Sequence, residues 1–207
     1  MIRLALPKGR NLGPTVAALA AGGLDLDGIE AAERRLWVPL SGGIDALLLK
    51  DRDLPLYVEY GVADLGVVGS DVLEEAGSDL LVPVRLTGGV SRLSFIGRQR
   101  PMPGPGEQVR LATKYPRTAR RLVARRPWGA EIVELSGSIE LAPLLDLADL
   151  ALDIVQTGRT LVDNGLVELE TVAPVAPCVV VNRASFQRHR QAINDLIGRL
   201  EAAGVAR

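Results

Sequence analysis

Short runs of β-branched and other apolar residues alternate along this chain with stretches of helical periodicity that stop at glycine. That alternation predicts an α/β protein rather than a sandwich or a helical bundle. Ile2 to Leu6 reads as a strand, and beyond Lys8-Gly9-Arg10 the residues Leu12, Val16, Leu19 and Ala20 recur at helical spacing until Gly22-Gly23. A helix from Asp53 to Tyr60, a strand Leu65 to Val68 and a helix Asp71 to Ala76 closed by Gly77 follow. After the proline- and glycine-rich loop at 97–106 come a strand Val109 to Ala112, a helix at 117–126, a strand Glu131 to Leu135, a helix Ile139 to Leu145 and a strand Leu150 to Val155. Past a break at Pro174 to Pro177, Cys178 to Val181 is a strand, and a last helix capped by Ser185 carries Ile193, Leu196, Ile197 and Leu200 on one face. Residues 92–172 read as one lobe, with 1–91 and 173–207 forming a discontinuous second lobe, which predicts a ligand cleft between two α/β lobes.

The balance of 24 basic against 25 acidic residues gives a net charge of -1, which provides no bulk attraction to nucleic acid or anionic lipid. Aromatic residues are 3% of the chain, too few for base-stacking platforms. No stretch approaches the roughly 20 apolar residues of a membrane span. The single cysteine, Cys178, has no disulfide partner in the chain, so a cytoplasmic location is expected, with Cys178 buried in its strand and His189 exposed between two arginines.

Residues 151–161, ALDIVQTGRTL, run from an apolar strand containing an acid through a tight turn into a helix. Gly158 permits the turn, and backbone N–H groups with the hydroxyls of Thr157 and Thr160 can converge on a phosphate, while Asp153 lies in reach of sugar hydroxyls or a metal. The alternative is a threonine-capped turn with no ligand. The loop lacks the lysine of a Walker loop, which excludes an ordinary P-loop ATPase. Among the bases of residues 108–130, Lys114 follows a strand and is the site candidate, whereas Arg120, Arg121, Arg125 and Arg126 read as a helix exterior.

Five segments, LPKGR at 6–10, VEYGVADLGVVGSDVLEE at 58–75, LATKYP at 111–116, GSIELAP at 137–143 and DIVQTGRTLVDNGL at 153–166, resemble in order and spacing the short form of ATP phosphoribosyltransferase. The resemblance implies a two-lobed fold like that of type II periplasmic binding proteins. It also implies the first committed step of histidine biosynthesis, in which N1 of ATP's adenine displaces pyrophosphate from C1 of phosphoribosyl diphosphate. Mg²⁺, and a separate regulatory subunit resembling histidyl-tRNA synthetase around a homodimer within a hetero-oligomer, are implied likewise. The additional regulatory domain of the long form is not expected in this chain.

Arg10 and Arg34 match family arginines and are expected to act as electrostatic catalysts on the diphosphate or the ATP phosphates. Lys8 and Gly9 belong to the same KGR match. Asp64, Gly66 and Gly69 are expected to face a ligand at a strand end, although turn and packing roles serve the glycines equally well. Ser138 and Glu140 are expected to bind substrate, with Glu140 and Asp153 as carboxylates for ribose hydroxyls and Mg²⁺; a helix-dipole role for Glu140 is the alternative. Thr157, Gly158, Arg159 and Thr160 complete the binding set, Arg159 without a catalytic role. One departure from the family pattern is Asp146, where a glycine is expected. A non-catalytic two-lobed binding or sensor protein is the competing reading, and a nucleic-acid binder using residues 110–126 is disfavoured by the charge balance.

Overall fold

The computed structural model describes residues 1–29, 35–87, 91–99 and 101–206. The chain divides into two compact units, one of Met1–Gly89 with Ala176–Arg207 and the other of Val90–Val175. In chain order the first holds β1 (Ile2–Pro7), α1 (Leu12–Ala21), β2 (Trp37–Pro39), β3 (Ile44–Leu49), α2 (Leu54–Glu59), β4 (Leu65–Gly69), α3 (Ser70–Ala76) and β5 (Leu81–Arg85). The second holds β6 (Ser91–Gly97), β7 (Gln108–Thr113), α4 (Pro116–Val123), β8 (Gly129–Glu134), α5 (Leu141–Leu144), β9 (Leu150–Val155), α6 (Arg159–Asp163) and β10 (Val167–Val175). The chain then returns to the first unit as β11 (Pro177–Val181), α7 (Arg183–Arg188) and α8 (Arg190–Ala202). No helix among the described residues is long and apolar enough to cross a membrane.

Among the described residues the first unit's strands form a six-stranded sheet in the order β2-β3-β1-β4-β11-β5, with β1 parallel to both β3 and β4. Alternate residues of β1 point to opposite faces, so Leu4 and Leu6 pack under α1 and α8 while Ala5 packs with Leu54 and Val58 of α2. A strand buried on both faces reads as an unbroken apolar run. β3, IDALLL, has that character and was not anticipated as a strand. The second sheet, in the order β10-β6-β9-β7-β8, repeats the scheme: β7 lies parallel to β8 and β9, its following helix α4 covers one face, and α5 and α6 cover the other.

Several local expectations change. The last helix is two helices that meet at His189, and its cap is Asn182, whose side-chain oxygen accepts the Ser185 N–H at 3.0 Å. The Ser185 hydroxyl donates instead to Asp64. His189 is half-buried rather than exposed, with Nε2 3.9 Å from the Asp64 carboxylate. Arg126 lies beyond α4 and pairs with Glu170 over the Phe95 ring, so it is no helix exterior. Asp146 does hold the left-handed backbone expected of a glycine, at φ 58, and its carboxylate lies 3.2 Å from Arg98, whose guanidinium also donates to the Leu144 carbonyl at 2.6 Å.

Gly66 is a packing glycine. A Cβ there would stand 2.9 Å from the Ala5 carbonyl oxygen, 2.9 Å from Leu54 and 3.0 Å from the Ala5 Cβ. Backbone atoms of a paired strand cannot move aside locally, so Gly66→Ala is expected to destabilise the fold by about 1–3 kcal/mol, read from denaturant unfolding. An unchanged midpoint would remove the close packing of β1 and β4 from the account.

Candidate active site

In open α/β sheets a crevice opens beyond the carboxyl ends of parallel strands where neighbouring loops leave toward opposite faces. Each unit has such a place around its middle strand. In the first unit the loop after β1 leads to α1 on one face, while the loops after β3 and β4 lead to α2 and α3 on the other. Lys8, Gly9 and Arg10 follow β1 there, with Gly9 at φ 74, and the Lys8 N–H donates to the Leu49 carbonyl at 2.8 Å. Asn11 donates from Nδ2 to Asp51 at 2.7 Å, tying this loop to the turn after β3. Burial pushes the Asp51 carboxyl above its ordinary range, opposed by the Asn11 hydrogen bond, raised further by the charge of Asp71 and lowered by that of Arg10. Arg10 is exposed at this edge, and Lys50 and Arg52 flank Asp51. These turn residues escaped the sequence reading because β3 did; its run of apolar residues is the signal that finds them.

Gly69 ends β4 at the same edge, where its N–H-bearing turn starts α3 and a Cβ would meet the Asp71 carboxylate. Asp64 sits at the opposite, amino end of β4. Its carboxylate is buried and accepts the Arg3 N–H at 2.8 Å and the Ser185 hydroxyl at 2.6 Å. Asp64 is therefore a joint between β1, β4 and α7, and Gly66 a packing residue; neither stands at the carboxyl edge with Lys8 to Arg10. Arg34 lies outside the described residues.

The second unit gathers its expected residues at one edge. Lys114 follows the middle strand β7, Ser138 and Glu140 follow β8, and Thr157, Gly158, Arg159 and Thr160 follow β9. Lys114 Nζ lies 3.0 Å from Asp153 Oδ1, and that oxygen also accepts the Ile154 N–H at 2.7 Å. Both partners are largely buried, so a cation is held in place beside the turn. The Thr113 hydroxyl donates to the Leu152 carbonyl at 2.8 Å and accepts the Tyr115 N–H at 2.9 Å, which fixes the backbone on either side of Lys114. Gly158 has φ 75, a left-handed conformation that disfavours any side chain. Thr157 and Thr160 are exposed, and Thr157 Oγ1 accepts the Arg159 N–H at 3.4 Å. Ser138, at φ 50, is a second non-glycine residue in the left-handed region, and Glu140 stands at the N-cap position of α5.

One expectation needs correction in its physics. α6 is only Arg159–Asp163, too short for a full helix dipole. The groups at this edge with the chemistry to take an anion are turn N–H groups, threonine hydroxyls and the Lys114 ammonium. Behind the turn lies a network not anticipated from sequence. Arg92, opposite Val155 in the β6/β9 pair, donates from Nε to both oxygens of Glu168 at 2.7 and 2.9 Å. Glu168 also accepts the Ser94 and Thr171 hydroxyls, each at 2.7 Å. The alternation of VELE at the start of β10 was the available strand signal.

A central parallel set of strands in each of two α/β units, with loops at the carboxyl ends, defines a fold of the type II periplasmic-binding-protein kind. The likeness of fold extends to the periplasmic aliphatic sulphonate binding protein SsuA of Escherichia coli, over 98% of this chain and 72% of that one, with a TM-score of 0.63 and 14% identity. The family described as ATP phosphoribosyltransferase (HisG) matches residues 50–202, and the ATP phosphoribosyltransferase of Thermus thermophilus is 46% identical over 96% of this chain and 95% of its own length. The chain belongs to the ATP phosphoribosyltransferase family. The ATP phosphoribosyl transferase (HisG:HisZ) complex of Thermotoga maritima aligns over 98% of both chains at a TM-score of 0.84 and 32% identity.

The arginine pair holds the Glu168 carboxyl at about 2 against an ordinary 4.5. A folded-state pKa below the unfolded one contributes stability that is fully present above the unfolded value and lost as pH falls toward the folded value. For Glu168 that window runs from about 4.5 down to about 2. Glu168→Gln is expected to lower the melting temperature at pH 7 and to match the parent near pH 2. A constant difference across that range in thermal melts would contradict the assignment.

Proposed function

We propose that this chain is an ATP phosphoribosyltransferase that joins N1 of the adenine of ATP to C1 of phosphoribosyl diphosphate, with departure of pyrophosphate. The observation that carries the reading is the ion pair of half-buried Lys114 with buried Asp153 ahead of the turn Thr157-Gly158, on a chain of this family. The turn and Lys114 take a phosphate of phosphoribosyl diphosphate, with Asp153, Ser138 and Glu140 directed to the ribose and Thr160 and Arg159 at the rim. The adenine nitrogen forms the new bond with its own lone pair as the bond from C1 to the diphosphate oxygen breaks, so charge develops on the leaving group and no base is required at the nucleophile. Arg10 and Arg34 stabilise that charge, and Lys8 and the Gly9 backbone assist at the edge of the first unit.

Among the described residues no group of three or more His, Cys, Asp or Glu is placed to hold a metal. Mg²⁺ needs only one or two carboxylates beside substrate phosphates and its own waters, so single carboxylates such as Glu140 and Asp153 fit it. Bound there, it would neutralise diphosphate charge. The Thermotoga relative was solved as a HisG:HisZ complex, which supports a separate HisZ-type partner for this chain; that the partner is regulatory and surrounds a homodimer of this chain is part of the proposal. A cytoplasmic setting accords with the free, buried Cys178.

Protein mixed with ATP, phosphoribosyl diphosphate, Mg²⁺ and pyrophosphatase is expected to generate the ultraviolet absorbance of the N1-substituted nucleotide only when both substrates are present. Arg10→Ala should then lower kcat about 100-fold or more with little change in either KM. Binding of both substrates without turnover, even with a regulatory subunit supplied, would instead identify a binding protein.

A further inference from the structure

The phosphate turn begins at Gln156, directly after β9. Arg92, in the neighbouring strand β6, reaches that point from the side: its Nη1 donates to the Gln156 carbonyl at 3.3 Å. The rest of its guanidinium is fixed by Glu168 through Nε and through Nη2 at 2.5 Å. Glu168 is in turn anchored by two hydroxyls, from Ser94 on the same strand as Arg92 and from Thr171 three residues along β10. Three strand positions thus hold one carboxylate, and the carboxylate orients one planar fork.

In a planar trans peptide the carbonyl and the following N–H point in opposite directions. Holding the Gln156 carbonyl therefore sets where the Thr157 N–H points, at the first residue of the turn. Gly158 follows at φ 75, a conformation with no side chain of its own to restrain it. Within the turn the Arg159 N–H donates to Thr157 Oγ1, and from the neighbouring strand Arg92 holds its entry at the Gln156 carbonyl.

We infer that Arg92, locked by Glu168, is a positioning residue that presents the turn's N–H groups to the phosphate of phosphoribosyl diphosphate. This rests on the turn being the phosphate site. Arg92 touches neither substrate, and its action runs through the peptide of Gln156 and Thr157. A lysine at this position keeps the charge facing Glu168 but lacks the fork that serves two carboxylate oxygens and a carbonyl together.

The test is direct calorimetric binding of phosphoribosyl diphosphate and, separately, of ATP to the full chain with Mg²⁺. Arg92→Lys is expected to melt within a few degrees of the parent and to bind phosphoribosyl diphosphate about tenfold more weakly, with ATP affinity unchanged. Parent affinity for phosphoribosyl diphosphate in the folded variant, or equal losses for both ligands, would overturn the inference. Should Arg92→Lys fail to fold, Ser94→Ala combined with Thr171→Ala loosens Glu168 without removing the ion pair. That variant is expected to show a smaller loss confined to phosphoribosyl diphosphate, and an unchanged affinity would overturn the inference equally. Gly158→Val separates the two levels: if it loses phosphoribosyl diphosphate while Arg92→Lys keeps it, only the bracing role fails. If Gly158→Val itself binds normally, the phosphate-turn reading fails with it.

Discussion

A parallel strand paired on both edges is joined to its neighbours by crossovers whose helices pack on the faces of the sheet, and each sheet is built around one such strand. β1 lies between β3 and β4, and β7 between β9 and β8. Helices must cover both faces, and the loops beyond the middle strand and beyond its neighbours must part toward opposite faces. That parting leaves the loops at the carboxyl edge of each sheet, with buried apolar clusters packed on both faces of the strands. On those loops the sequence places Lys8-Gly9-Arg10 in one unit, and Lys114, Ser138 to Glu140 and Thr157 to Thr160 in the other, the residues proposed above for the substrates.

Electrostatics then divides between groups that hold geometry and groups that stay available. Glu168, Asp64 and Asp149 are consumed within the scaffold, the first by Arg92, the second by Arg3 and Ser185, the third by the Arg110 N–H at 2.8 Å. Arg10 is exposed at its edge. Lys114 falls between the two kinds, since Asp153 fixes its ammonium at 3.0 Å while a quarter of its side chain, 27%, is open to solvent. A cation held by one acid and still accessible loses little conformational freedom when an anion arrives.

Much of this was legible because the segments carrying chemistry obey local rules. A left-handed backbone favours glycine, so Gly158 marked its turn; at Asp146 it was the family resemblance that called for glycine, and the backbone there is left-handed. Asp64 and Gly66 misled for the opposite reason. An acid and a glycine near a strand look the same in sequence whether they face a ligand or a neighbouring strand, and only pairing placed one at the amino end of β4 and the other against Ala5. β3, β6 and β10 were passed over since a run buried on both faces lacks alternation, and since β10 carries Pro174 and two register shifts. Without β6 and β10, the contact between Arg92 and Glu168, 76 residues apart, had no sequence signal.

Amide hydrogen exchange of the full chain, with and without phosphoribosyl diphosphate and Mg²⁺, tests the central claim most directly. Protection in the second unit is expected to concentrate at residues 114–115, 136–140 and 156–160, the three loops beyond β7, β8 and β9. Binding that left those loops unchanged and protected other parts of that unit would contradict it.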